Sequence, residues 1–549
     1  MALFDFIKRA DPRQLRWMWV LTLIAGCANA ALIVVITNVA ETVANAGRPS
    51  LPGWLAFLGA FGLYYLANQF ALTRAMAIIE ELLNRIRLEI ADKLRKSELL
   101  VVDRLDRGQL YNLVAKETNH LSVTFPLIVD AIQQVILLLV ATFYLLYLSP
   151  AAFFVLLATI GAGVLGYKVI DNRYRNILRL VERMQAEMLD AILDIINGSK
   201  ELRLNTRRSD AVAAAYRKRS NILERLLVRS VEHWVSLIML GSIAMFTMLG
   251  VVVFVFPNLV AGHKTTIFQL VPVLLFCMGT LGKTVTQSPM FMRAEVGLQS
   301  ILTVDRELSE GASISPDEAR HFARSFIDFS TIDFNGIRFS YDPKDPEAYV
   351  VGPLNLTVSR GEVIFLVGGN GSGKSTALRM MTGLYPVQSG WIGVDEATVS
   401  GKAIAGYREL FSSVFVDFHL FDRLYGLEDI DPSRVNRLIA EMGLAEKVTF
   451  ENGRFNQLHL STGQRKRLAL IAAIVEDRPA YVFDEWSAEQ DVHFRDSFYN
   501  EIIPRLREEG KTVIATTHDE KYWNVADRVV KLDLGTIEWV RTKAELEEQ

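Results

Sequence analysis

Cysteine is nearly missing: two occur in 549 residues. Cys27 and Cys277 both fall inside apolar runs, which excludes a disulfide framework and a cysteine-based metal cluster. A dominant charge is missing too, since 59 Lys and Arg against 62 Asp and Glu leave a net charge of −3. No broad positive field is offered to nucleic acid, and none is expected as a partner. Neither an internal repeat nor a low-complexity tract is found. What is present in excess is apolar residues: they make up 50% of the chain and give a mean hydropathy of +0.21. That is too apolar for a purely soluble multidomain enzyme, and the excess lies in the N-terminal half.

Crossing about 30 Å of hydrocarbon takes roughly 20 helical residues at about 1.5 Å each. Six runs qualify: Trp17–Val39, Trp54–Leu72, Phe125–Leu148, Ala151–Val169, Trp234–Phe256 and Thr266–Thr286. Any one alone would also suit a buried core helix. Six in succession, without an intervening strand pattern, point to a bundle in a lipid bilayer. Lys and Arg are retained on the cytoplasmic side of inserted helices. They crowd the N-terminal segment (Lys8, Arg9, Arg13, Arg16), the stretch from Arg74 to Arg107 and the stretch from Arg173 to Lys218. The alternate loops, near 46–53, 149–150 and 257–265, show only Arg48 and Lys264. Both termini are therefore expected in the cytoplasm, and the first run is too long for a removable signal peptide.

Segments 78–101 and 173–204 are charged yet helically periodic, as expected of membrane helices that continue into the cytosol. Each is expected to turn around at a short segment, near 107–118 and 206–219. For Arg217-Lys218-Arg219 two readings compete, a turn that docks onto the rest of the protein and a basic face on anionic headgroups. Polar residues within the spans are candidates for a transport path or for helix-to-helix contacts: Asn29, Asn38, Asn68, Gln69, Asp130, Gln133, Gln134, Gln269, Lys283 and Gln287. Asp130, a few residues inside the third span, reads as a hydrated interfacial carboxylate.

The second half carries chemistry. Gly368-Gly369-Asn370-Gly371-Ser372-Gly373-Lys374-Ser375-Thr376 has the spacing G-x-x-x-x-G-K-S, in which bare backbone amides curl around phosphate oxygens. The apolar run 363–367 before it reads as a buried strand, and 375–381 as a helix with its positive end toward the anion. Lys374 would reach the β- and γ-phosphates of ATP, and Ser375 would hold Mg²⁺. Tyr481-Val482-Phe483-Asp484-Glu485 is an apolar strand ending in two acids, placed where phosphates lie at a sheet edge. Asp484 is expected to bind Mg²⁺ through water, and Glu485 to polarise the attacking water, work that supplies on the order of 10²–10⁴-fold in rate. After the β-rich run 512–517, expected beside the Asp484 strand, His518 would contact the γ-phosphate or orient the water. Taken alone, an Asp-Glu pair or a loop His is usually just solvated surface. The order of the motifs reverses that reading.

Leu460-Ser461-Thr462-Gly463-Gln464 resembles the signature motif of the ATP-binding-cassette superfamily, which ordinary phosphate-loop ATPases lack. Ser461, Gly463 and Gln464 open a helix, so hydroxyl, amides and helix dipole make a second anion site. The resemblance implies that this site completes the nucleotide pocket of the opposite subunit, hence a homodimer. It also implies that Tyr341 stacks on adenine, although an exposed turn tyrosine would look the same, and that Asp491 is the acid of the D-loop. One position departs from the family: in 414–421 Val416 stands where a glutamine is usual. Asp417 is the candidate to contact Mg²⁺ or its water instead.

Segments 411–421, 460–467 and 483–491, with Trp486 where most cassettes have proline, are similar to the bacterial cyclic-peptide and siderophore-peptide exporter branch, which includes pyoverdine-exporter-like half-transporters. The implied fold is an all-α six-span bundle of the exporter type joined to an α/β phosphate-loop domain. The expected boundaries are 1–290 for the membrane part, 291–325 for a linker and 326–549 for the cassette. The implied activity is ATP-driven export of a peptide-type compound across a bacterial inner membrane. A lipid or drug translocator is the same machine with another cargo, and an ATP-dependent sensor without transport is the third reading.

Overall fold

The computed structural model describes residues 6, 8, 10–46, 51–104, 118–255, 264–310, 316–345 and 347–548. They sort into two compact units, 1–89 with 107–305, and 90–106 with 306–549.

The first unit is helical. Among the described residues six long helices follow one another: α1 (Pro12–Ala46), α2 (Leu51–Lys96), α3 (Thr118–Leu148), α4 (Pro150–Asn197), α5 (Thr206–Gly250) and α6 (Lys264–Glu310). Each of the six apolar runs lies within one of them, except that the fifth extends past α5 into a π-helical turn, Val251–Val255. By length and composition α1, α2, α3 and the stretch Thr206–Val255 could cross a membrane, while α4 and α6 contain shorter apolar segments, Pro150–Gly166 and Leu270–Thr284. Local chemistry sets the ends. The Ser149 hydroxyl accepts from Ala152 N ahead of Pro150 at the first helical turn, and Asn205 caps α5 by accepting from Arg208 N at 3.0 Å. The buried Thr22 and Thr37 hydroxyls donate back to Met18 O and Ile33 O of their own helix at 2.8 and 2.9 Å, the usual way of satisfying hydroxyls in apolar surroundings. The core joins Leu137, Leu145, Leu156, Met248, Leu274 and Cys277; Cys277 is a small apolar filler there, whereas Cys27 is exposed. Outward-facing Leu55, Leu58, Phe143, Phe154 and Phe246 are exposed, as lipid-facing positions require.

Asp130 has protein partners besides any water that reaches it. Its carboxylate accepts from Lys283 Nζ at 2.8 Å and Gln287 Nε2 at 3.0 Å, tying α3 to α6. Neither periodic segment is one helix: α2 stops at Lys96 and a short helix resumes at Leu99–Arg104, and α4 stops at Asn197 before Gly198, after which a short helix spans Ser199–Leu204. The turn expected at 107–118 lies outside the described residues except for Thr118, as do 311–315 of the expected linker. So do 47–50 of the loop 46–53 and 257–263 of the loop 257–265. Segment 206–219 is the first part of α5.

The second unit is an α/β domain. Four antiparallel strands, β1 (Thr331–Ser340), β2 (Val350–Ser359), β4 (Ser389–Val394) and β5 (Ala397–Val399), are ordered β2-β1-β4-β5. Strands β3 (Val363–Val367), β6 (Phe411–Val414), β9 (Ala480–Phe483), β10 (Thr512–Thr516), β11 (Arg528–Asp533) and β12 (Thr536–Thr542) form a sheet ordered β12-β11-β3-β10-β9-β6. A small hairpin, β7 (Phe450–Glu451) and β8 (Arg454–Phe455), stands apart. All pairings in the six-stranded sheet are parallel except β11 with β12. Every residue of β3, β9 and β10 is buried, which is why these strands are continuous apolar runs rather than alternating ones. With β10 between β3 and β9, three strand ends, and the loops that follow them, come to one edge.

Candidate functional site

The first loop leaves β3. Its glycines are conformational necessities: Gly368 has φ +143°, and a Cβ there would stand 2.2 Å from Leu532 O, while Gly373 takes φ +96° at the entry to α7 (Lys374–Met381). Lys374 is buried and its Nζ donates to Gly368 O and Gly369 O at 3.0 and 3.1 Å. Burial pulls its pKa down, opposed by the nearby charges of Glu485 and Asp484. Two loop residues have partners that were not expected. Tyr341 Oη lies 3.2 Å from Thr376 Oγ1, with its ring edge-on to Phe339 and Tyr385. Tyr349 Oη donates to Gly371 O at 2.9 Å. Tyr349 was not singled out in the sequence, where nothing local marks its reach to a loop 22 residues away.

The second loop leaves β9. Asp484 Oδ1 accepts from Ser375 Oγ at 3.1 Å and Thr516 Oγ1 at 2.9 Å, while its Oδ2 is buried without a hydrogen-bond partner. Burial raises the Asp484 pKa, the two hydroxyls counteract it, and the neighbouring Glu485 charge adds to the rise. A hydroxyl beside a carboxylate with a spare buried oxygen fits a small hard cation. Among the described residues no cluster of three or more His, Cys, Asp or Glu offers an alternative metal site.

Glu485 follows in the left-handed region, φ +48° and ψ 39°. Its N–H donates to Thr516 Oγ1 at 2.7 Å and its carbonyl accepts from Lys466 Nζ at 2.9 Å. Its carboxylate lies 3.3 Å from His518 Nε2, at the end of β10, and 4.0 Å from Lys374 Nζ. The backbone is thus held on both sides while the carboxylate, about 31% exposed, faces the phosphate loop and the histidine.

The signature segment opens α8 (Thr462–Glu476). Ser461 is its N-cap in a reciprocal capping box with Gln464, so the Gln464 side chain is engaged by the Ser461 N–H at 3.2 Å. Gly463 is packed so closely that a Cβ would meet Glu489 O at 2.6 Å. Gln490 Nε2 donates to Gly463 O, and Arg467 donates to both Gln490 Oε1 (2.8 Å) and Asp491 Oδ2 (2.7 Å). Asp491 also accepts from Phe494 N at 3.0 Å, the main cause of its lowered pKa. Trp486 is buried, stacks on Phe498 at 4.3 Å and donates from Nε1 to Lys466 O at 3.0 Å. Lys466 and Trp486 are where the signature helix meets the Glu485 loop.

The structure therefore brings together Gly368 to Thr376, Tyr341, Asp484, Glu485 and His518 at one sheet edge, and groups Ser461, Gly463, Gln464 and Asp491 along α8. Asp417, expected near the metal, is exposed and forms its ion pair with Arg379 at 3.0 Å.

Residues 17–284 match the family model described as "ABC transporter transmembrane region", and residues 351–488 match "ABC transporter". The chain is 29% identical over 545 residues to "ATP-binding protein SyrD" of Pseudomonas syringae pv. syringae, covering 95% of this chain and 94% of that protein. Over 36% of its length it is 35% identical to "sn-glycerol-3-phosphate import ATP-binding protein UgpC" of Brucella abortus, 59% of which is covered. In fold it is similar to a solved bacterial Atm1-family ABC exporter with ATP bound: TM-score 0.77, 17% identity, 98% of this chain and 96% of that one.

Proposed function

Because the chain is an ATP-driven ABC exporter, a helical membrane region with an ATPase coupled to transport, we propose that it moves a peptide-type compound out of the cytoplasm as a homodimer. The carrying observation is Glu485, held left-handed at the end of β9 with His518 and Lys374 on either side of its carboxylate. Glu485 takes the proton of the attacking water, His518 orients that water, and Lys374 and the loop amides hold the phosphates. Ser375 and Asp484 would hold Mg²⁺, which would supply positive charge against the phosphate oxygens. Tyr341 supplies the adenine platform. Ser461 and Gly463 cap the nucleotide of the other protomer, with Asp491 fixing the loop between the two sites. Closure by ATP and reopening after hydrolysis drive the switch, since energy enters only through differential affinity for the two forms.

The cargo reading rests on the likeness of 411–421, 460–467 and 483–491 to the peptide-exporter branch, Trp486 above all. The basic loops support termini and cassette on the cytoplasmic side of a bacterial inner membrane, with boundaries at 1–290, 291–325 and 326–549. A lipid or drug cargo is favoured by one observation: a cavity of about 690 Å³ between α4, α5 and α6, lined mostly by apolar residues such as Leu237, Met245, Phe246 and Met278. Inside-out vesicles, with ATP supplied from outside where the cassettes face, decide between them. ATP-dependent uptake of a cyclic peptide, with hydrolysis stimulated by it, supports the proposal; stimulation by lipids or drug-like amphiphiles but not by peptides overturns it.

A further inference from the structure

The position of Val416 leaves the cassette without the glutamine expected there, and the residues around it make a connection of their own. Asp417 Oδ2 accepts from Arg379 Nη2 at 3.0 Å. Arg379 lies on α7, the helix that starts at Lys374, and its Nη1 donates to Tyr385 Oη at 3.1 Å while its guanidinium lies against the Tyr385 and Phe415 rings. Tyr385 Oη in turn donates to Asp103 Oδ2 at 3.0 Å. Asp103 belongs to the short helix Leu99–Arg104, which follows α2 and is part of the cassette's compact unit.

The same helix is fastened at three further points. Leu99 and Leu100 pack on the cassette core. Glu98 pairs with Arg408, whose Nε also donates to Gly383 O at 2.8 Å. Arg104 Nη2 donates to Tyr341 O at 3.2 Å. Tyr385 meanwhile stacks on Phe339 at 4.8 Å and meets Tyr341 edge-on at 5.7 Å. One phenol therefore touches the aromatic expected under adenine, the helix behind the phosphate loop and the helix descending from α2. Burial keeps that phenol above its ordinary range, so it stays an O–H donor.

We propose that Arg379 and Tyr385 are positioning residues that report nucleotide occupancy to Glu98–Arg104, and that Asp417 is the counter-ion that orients Arg379. The geometry suits the task, because the Tyr385 hydroxyl accepts from Arg379 and donates to Asp103. A shift of α7 or of Tyr341 on nucleotide binding then changes a carboxylate contact made by that helix.

The test is hydrogen exchange over 97–104 in the full-length protein in nanodiscs, with and without Mg-ATP and vanadate, alongside KM and kcat for ATP. In the unaltered protein nucleotide changes exchange over 97–104. Tyr385→Phe keeps the ring contacts and loses the hydroxyl. It is expected to shrink that response by about tenfold, the weight of one hydrogen bond to a charged group, with kcat reduced and KM little changed. Asp103→Asn keeps an acceptor and preserves the response, whereas Asp103→Ala loses it. An undiminished response in Tyr385→Phe and Asp103→Ala overturns the proposal. So does an Asp417→Asn variant that needs more Mg²⁺ for half-maximal hydrolysis, since Asp417 would then be acting on the metal.

Discussion

Glu485 carries two consequences that a single substitution separates. At φ +48° it occupies a region that costs a residue with a Cβ about 1–2 kcal/mol. Glycine would relieve that cost, less the roughly 0.5–1 kcal/mol of extra backbone entropy it loses on folding. The contact with His518 is partly exposed on both sides, 31% and 45%, so its loss is worth about 0–1 kcal/mol. The nearby Asp484 also loses a like-charge neighbour. Glu485→Gly is thus expected to leave the protein at least as stable as before, within about 1 kcal/mol, while ATP hydrolysis falls by about 10²–10⁴-fold, or roughly 3–5 kcal/mol of barrier. Glu485→Gln keeps the strain, loses the same rate and accumulates the ATP-loaded closed dimer. Thermal unfolding and ATPase assays on the full-length protein in nanodiscs read both quantities. A glycine variant that unfolds well below the parent refutes the strain argument, and one that retains turnover refutes the catalytic assignment.

The Asp484 pKa is raised by burial, so the nucleotide-free cassette carries stability at low pH that is lost as pH rises through that raised value. Asp484→Asn should flatten this pH dependence in melting curves, and the stabilisation that Mg²⁺ gives the parent at neutral pH should vanish. Trp486→Ala, which deletes a buried ring and its bond to Lys466 O, should cost about 3–5 kcal/mol, whereas Trp486→Phe keeps the stack and should cost about 1 kcal/mol; denaturant melts of the cassette signal distinguish them. Gly463→Ala puts a Cβ 2.6 Å from Glu489 O and should displace the loop bearing Asp491, lowering cooperative ATP hydrolysis while leaving nucleotide binding to the phosphate loop intact by fluorescent-nucleotide titration.

What the sequence made legible is whatever depends on local spacing. A buried parallel strand must be a continuous apolar run, so β3, β9 and β10 could be read from 363–367, 481–483 and 512–517, and the acids and histidine at their ends followed. The six long helices were readable for the same reason, because lipid allows no polar relief along a helix. The parts that were not legible are relations between distant residues. Nothing local to Tyr349 says that its hydroxyl reaches Gly371, and nothing local to Asp130 says that Lys283 lies within 2.8 Å. Asp417 is the instructive case. A carboxylate beside a missing glutamine suggests a metal contact by position alone, and nothing local says that Arg379, 38 residues upstream, lies 3.0 Å from it. Spacing fixes which backbone groups can meet, whereas the partner of a long flexible cation is settled by packing in three dimensions. The residues most exposed to misreading from sequence are therefore the charged ones at the joints between elements, where Arg379, Arg408 and Arg467 each bridge segments that no periodicity connects.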